Sequence, residues 1–128
     1  MDTGSNLDFT REKLRSLITR SAEIIEEWYS ENLRDKKIYN NFSPAEIRDM
    51  FDEDLPSAGH DPEQLLETIR NDIFRTSNFN PSPNYYGYIT GGGNHASMIA
   101  ELLKSSLNQN NLKWHSAPAN SEIEKIVI

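Results

Sequence analysis

Three consecutive glycines, Gly91-Gly92-Gly93, follow a short ring-rich stretch and precede an apolar helical pattern. Such a junction can cradle a phosphate, because a helix N-terminus offers unpaired N–H groups and the positive end of a dipole. The run has neither the dinucleotide fingerprint nor the Gly-Lys-Ser/Thr of a P-loop. Read locally, a tight turn of positive φ is the better account. Just upstream, Tyr85-Tyr86-Gly87-Tyr88 could line a ligand pocket with rings and hydroxyls, or pack a loop onto a core, and the residues leave both open. Glu122 and Glu124 lie close together on one helix and point different ways, which reads as solvated surface or a dipole partner. His95, near a helix start, could hydrogen-bond a ligand, although polar surface is the commoner role. His115 beside Trp114 has no obvious partner, and His60 reads as turn surface. No Ser-His-Asp or Cys-His arrangement is present, and the three histidines have no metal spacing. The absence of cysteine excludes disulfides and thiolate metal sites.

These residues must be positioned by helices. Thr10 is a plausible N-cap, after which Leu14, Leu17, Ile18, Ala22, Ile25, Trp28 and Tyr29 recur at three- and four-residue steps. Glu23, Glu26, Glu27 and Glu31 lie largely off that stripe, and the helix is predicted to end near Arg34–Lys37. Ser43-Pro44-Ala45-Glu46 combines a cap, a first-turn proline and a capping-box glutamate. A short helix through Ile47, Met50 and Phe51 follows, and Leu55-Pro56-Ser57-Ala58-Gly59 breaks it. Asp61-Pro62-Glu63-Gln64 repeats the start chemistry for a helix with Leu65, Leu66, Ile69 and Ile73 as its stripe, reaching about Phe74. From Thr76 to Pro83 the prolines favour extended backbone. The rings that follow are expected to be covered from water. A fourth helix from about Asn94 to Asn108 carries Met98, Ile99, Leu102, Leu103 and Leu107 inside, and a fifth starts near Pro118–Ser121 with Ile123, Ile126 and Val127. The chain stops at Ile128 in mid-stripe, as if the polypeptide continued. The expected picture is antiparallel helices with short turns and no sheet, preceded by disorder over residues 1–9.

The bulk numbers bound the function. With 128 residues the chain allows one domain at most, and 36% hydrophobic residues with a mean hydropathy of -0.70 is lean for a self-sufficient globule. A net charge of -7 argues against nucleic acid and against anionic membranes as partners. The acid is local: residues 1–75 hold 17 Asp+Glu against 10 Lys+Arg, while residues 76–128 hold three of each. The second part therefore reads as the more buried one. No apolar run is long enough to span a bilayer, and Met1–Asp8 does not resemble a signal peptide. A cytoplasmic location is expected.

Taken in order, Leu55-Pro56-Ser57-Ala58-Gly59, Ser82-Pro83-Asn84-Tyr85-Tyr86-Gly87-Tyr88, Gly91-Gly92-Gly93, Leu107-Asn108, Trp114 and Ser116-Ala117-Pro118-Ala119-Asn120-Ser121-Glu122-Ile123-Glu124 form a recognisable series. It resembles the N-terminal part of the group II pyridoxal-phosphate decarboxylases, which act on aromatic amino acids, histidine or glutamate. The resemblance is densest over residues 55–128 and extends to residues 10–54. It implies a mainly α segment of an aspartate aminotransferase-like fold. Residues 10–75 would be a helical arm for subunit packing, and residues 76–128 an active-site-covering loop with its helices. The large α/β domain, with pyridoxal phosphate and its Schiff-base lysine, would lie outside this chain. The partners implied are the second subunit of a homodimer, the missing cofactor domain and an amino-acid substrate. Tyr86, Tyr88, Ile89, Thr90, Gly91 and Gly92 would approach the substrate, and Asn110 and Leu112 would reach its side chain from the neighbouring subunit. No catalytic residue and no metal ligand is expected here, so this polypeptide alone should be inactive. Three positions depart from the aromatic decarboxylases: Gly91 stands where a threonine is usual, with Thr90 one position away, and Asn110 and Leu112 stand where bulky apolar residues are usual. Two other readings fit the residues: a stand-alone acidic helical interaction module, or part of an aminotransferase of the same fold.

Overall fold

The structure is a computed structural model that describes residues 9–30 and 33–128. The expected disorder at residues 1–9 and the placement of Glu31 fall, apart from Phe9, outside the described residues. Five α-helices run in order: α1 (Arg11–Ser30), α2 (Pro44–Phe51), α3 (Pro62–Thr68), α4 (His95–Leu107) and α5 (Pro118–Val127). A π turn, Ile69–Phe74, extends α3, and a 3₁₀ turn, Trp114–Ser116, precedes α5. No strand occurs among the described residues. The chain divides into two compact units, one ending at Gly91 and one starting at Gly92. The sequence reading divides the chain by role at 75/76; the division by contact falls inside the glycine run.

The helix starts follow local chemistry. Thr10 Oγ1 accepts the Lys13 amide at 3.2 Å. Ser43 makes the complete capping box: its hydroxyl accepts the Glu46 amide, while the Glu46 carboxylate accepts the Ser43 amide at 2.7 Å. Asp61 accepts the Glu63 amide at 2.8 Å, and Asn94 accepts the Ser97 amide at 3.2 Å. α1 extends to Ser30 and residues 33–35 form a turn, so the predicted end near Arg34–Lys37 is too late. Lys36 supplies the reason: it donates to the Trp28 carbonyl, meeting an acceptor left over at the helix end.

In the first unit α1 and α3, which are separated in the chain by α2, lie parallel. Lys13 pairs with Glu63, Arg20 with Glu67 at 2.5 Å, and Arg70 with Glu27 at 2.5 Å, so position rises along both helices together. At the upper end of this ladder sits a cluster of rings. Trp28 meets Phe74 and Phe79 edge-on, each at 5.1 Å between centroids. The Lys36 ammonium lies over Trp28 at 4.6 Å and over Phe79 at 4.7 Å. Phe79 is 1% exposed, and its amide donates to the Ile38 carbonyl at 2.8 Å. The π turn explains why Phe74 is in this cluster. A wider turn delays the apolar stripe, so Ile73, expected inside, is 44% exposed while Phe74 meets Trp28.

The second unit is built differently. Asn108 ends α4 in the left-handed conformation, φ 43 and ψ 42, which asparagine tolerates. Ile99, Leu102, Leu103 and Leu107 of α4 and Ile123, Ile126 and Val127 of α5 are exposed, and Ala117 is buried. The expectation that residues 76–128 are the more buried part holds for Phe79, Ser82 and Ala117 and fails for the apolar faces of α4 and α5. Low charge marks a face made to be covered, and in this chain the face is open.

Candidate functional site

The eight residues assigned to substrate fall into two groups, one in each unit. Tyr86, Tyr88, Ile89, Thr90 and Gly91 close the first unit; Gly92, Asn110 and Leu112 belong to the second. The first group stands on a rigid base. Ser82 is buried and accepts the Asn84 amide on its hydroxyl at 3.2 Å, and its carbonyl accepts the Tyr85 amide at 3.0 Å. Asn84 Nδ2 donates to the Arg34 carbonyl at 3.1 Å. The Tyr85 ring folds back under Gly87, where a Cβ would sit 3.1 Å from it, so any side chain there would push the ring aside by a few tenths of an ångström.

Beyond this base the chain projects. Tyr86 is 89% and Tyr88 93% exposed, and Ile89 is fully exposed. The rings expected to be covered are therefore presented to solvent. Tyr88 has φ 56, a left-handed conformation that costs an aromatic residue about 1–2 kcal/mol. Thr90 Oγ1 donates to the Gly87 carbonyl at 3.4 Å and closes the turn. The glycine run does not make the expected turn of positive φ: no described glycine has one, and Gly91 and Gly92 have open space where a Cβ would stand. The bend has moved upstream to Tyr88, where the Gly87–Thr90 contact sets it.

In the second group, Asn110 Oδ1 accepts the Leu112 amide at 2.9 Å. This bond fixes the asparagine side chain and leaves its Nδ2 as the donor it offers outward. Leu112 is 81% exposed. Ser116 Oγ lies 2.6 Å from the Asn110 carbonyl and 2.7 Å from that of Lys113, and Asn120 Nδ2 donates to Asn111 Oδ1 at 3.2 Å. Glu122, read from sequence as surface, accepts from the Trp114 indole at 2.7 Å and from Lys125 at 2.8 Å. The Lys125 bond first, then the Trp114 bond, hold its carboxyl below the usual carboxylate range. No periodicity links Trp114 to Glu122 across a turn, so sequence alone has no signal for the pair.

An open cleft of about 400 Å³ lies elsewhere in the first unit, lined by Trp28, Phe74, Lys36, Arg70 and Arg75 among others, and none of the eight residues borders it. No group of three or more potential metal ligands occurs among the described residues.

The sequence model of the pyridoxal-dependent decarboxylase conserved domain matches residues 44–128, two thirds of the chain. The chain belongs to that family. An L-tyrosine/L-DOPA decarboxylase of Lophophora williamsii is 29% identical over 100 residues, covering 78% of this chain and 19% of the relative. An aromatic-L-amino-acid decarboxylase of Bacillus atrophaeus is 23% identical over 123 residues, covering 96% and 25%. The crystal structure of mouse CSAD superposes with a TM-score of 0.80 at 20% identity, over 93% of this chain and 25% of that one. The fold is that of a segment of these enzymes, and the chain spans about a fifth to a quarter of the proteins it matches.

In this pyridoxal-dependent decarboxylase segment three of the six lysines are engaged by carboxylates, and the start of α4 is capped by its own side chain. A Schiff-base lysine needs an amine free to lose its proton. Here Lys13, Lys104 and Lys125 are each paired to a glutamate, and the bond to Glu63 holds Lys13 above its usual range. At the start of α4 the Asn94 side chain already occupies the Ser97 amide that a phosphate would use. The first unit presents two tyrosines and an isoleucine to solvent, and the second, separately, a leucine and an asparagine amide.

Proposed function

We propose that this chain supplies the helical arm and part of the substrate-pocket wall of a pyridoxal-phosphate-dependent amino-acid decarboxylase. The observation that carries the reading is the family match over residues 44–128, which includes every one of the eight presented residues. The cofactor, held by the rest of the parent enzyme, supplies an electron sink for the carbanion left when carbon dioxide departs. Tyr86, Tyr88 and Ile89 exclude water from one side of the pocket, and bare backbone at Gly91 and Gly92 lets the chain approach the substrate closely. Asn110 offers its amide hydrogens to the substrate side chain, and Leu112 an apolar contact. The open faces of α4 and α5 are covered in the parent by the cofactor domain and by a second subunit, in a cytoplasmic homodimer.

The test compares the chain with its longer parent, each incubated with pyridoxal phosphate and dialysed. The parent is expected to keep an absorbing Schiff base and to release carbon dioxide from an amino acid, and the chain alone to do neither. A Schiff base on the isolated chain that survives dialysis would sink the proposal. So would a parent that binds the cofactor but only exchanges amino groups.

A further inference from the structure

We propose that Glu122 is a positioning residue, clasping Trp114 so that the Asn110–Leu112 loop keeps the shape in which it faces substrate. The proposal rests on the pocket-wall reading above and adds to it a residue outside the wall. Between the end of α4 at Leu107 and the 3₁₀ turn at Trp114, the chain has no regular hydrogen bonding. Its conformation is set by side chains: Asn110 on the Leu112 amide, Ser116 on the Asn110 and Lys113 carbonyls, and Asn120 on Asn111. The Asn110–Leu112 bond closes the loop on itself, while the Ser116 and Asn120 bonds tie it to the 3₁₀ turn and the first turn of α5, so the loop is placed by that junction.

Trp114 is the first residue of the junction, and it is 52% exposed, so burial does not orient its ring. An indole has one donor and no acceptor, and a single strong bond therefore sets its direction. Glu122 provides that bond at 2.7 Å as a carboxylate, which binds a neutral donor more strongly than a neutral acceptor would. Lys125 holds the same oxygen at 2.8 Å and keeps it ionised and aimed. A role for Glu122 in the α5 dipole is weaker, because no acidic residue lies in the first turn of α5 and the dipole effect fades beyond it. The Glu122–Lys125 pair alone is an exposed helix pair that contributes little and needs no tryptophan.

Two measurements test the clasp. In the full-length parent with cofactor bound, Glu122→Ala and Trp114→Phe should each raise KM about ten-fold with a smaller change in kcat. The double variant should be no worse than either single one. Glu122→Gln keeps the acceptor and should stay within about three-fold of the parent. Effects that multiply in the double variant, an unchanged KM, or a Gln variant as poor as the Ala variant would overturn the assignment. In the full chain, proton NMR separates the indole N–H of Trp114 from that of the other tryptophan. Glu122→Ala should speed its exchange about ten-fold, and Glu122→Gln should not. Unchanged exchange overturns the clasp itself. Faster exchange with an unchanged KM overturns the proposal through the pocket-wall reading instead.

Discussion

The described residues of the first unit gather rings at one end of a ladder of ion pairs, whereas residues 92–128 form two helices and a tied loop whose apolar side chains face outward. In the first unit Trp28, Phe74 and Phe79 meet edge-on and Lys36 lies over two of the three rings. In the second, Leu102, Leu103 and Leu107 are more than half exposed. The difference shows where specification comes from. The first unit encloses its own small core; the second has good local chemistry at every boundary, yet leaves its hydrophobic face for something else to cover.

The comparison can be broken most directly at Phe79. Phe79→Ala should cost the first unit about 3–5 kcal/mol in urea unfolding, the range for emptying a fully buried aromatic site, and should leave α4 helicity unchanged. A small loss would mean that the rings are not the core. Acid should act in the same direction and less severely. Arg70 holds the Glu27 carboxyl low, the Ser43 amide holds Glu46 low, and hydrogen bonds from Glu63 hold Asp61 low. Groups with depressed folded values contribute stability above the ordinary carboxylate range and lose it as pH falls through those values. Lys13 is shifted the opposite way, upward by its bond to Glu63, and its contribution is lost only at strongly alkaline pH. A melting temperature of the first unit that is flat from pH 6 to about pH 2.5 would contradict the ladder.

At the presented loop the effects are smaller. Tyr88→Gly removes a strained left-handed tyrosine whose ring packs on nothing, and should stabilise the chain by about 0.5–1 kcal/mol in thermal melts. A net loss would show that the ring has a structural partner. Smallest of all is Gly91→Ala. With open space at the Cβ position and no positive φ, stability should change by less than about 0.5 kcal/mol. If the same substitution in the parent raises KM, the glycine is kept for the substrate's approach.

What was legible in the sequence was the chemistry that acts within four residues. Thr10, Ser43 and Asp61 were readable as caps because a cap's partner is two or three positions away. The apolar stripe placed α1 and α4 for the same reason. The parallel pairing of α1 and α3 was not readable, since its ion pairs join residues 43 to 50 apart. Nor was the π turn, which moved Phe74 inward at the expense of Ile73. Nor was the role of Phe79, which stands in a polar, proline-bounded stretch and is the most deeply buried ring. At the candidate site, the ordered motifs nominated residues, but not how they are held. The left-handed residue is Tyr88 and not a glycine, and the partner of Trp114 is a glutamate that periodicity assigns to the surface.

The parallel course of α1 and α3 has a consequence during synthesis. A helical hairpin can close as soon as its second arm appears, but a parallel pair must wait for the chain to travel out and return. Glu63 leaves the ribosome 50 residues after Lys13, a delay of roughly 2.5–10 s at cellular elongation rates. Throughout that interval α1 shows its apolar stripe to the surroundings of the nascent chain, where a chaperone can bind it first.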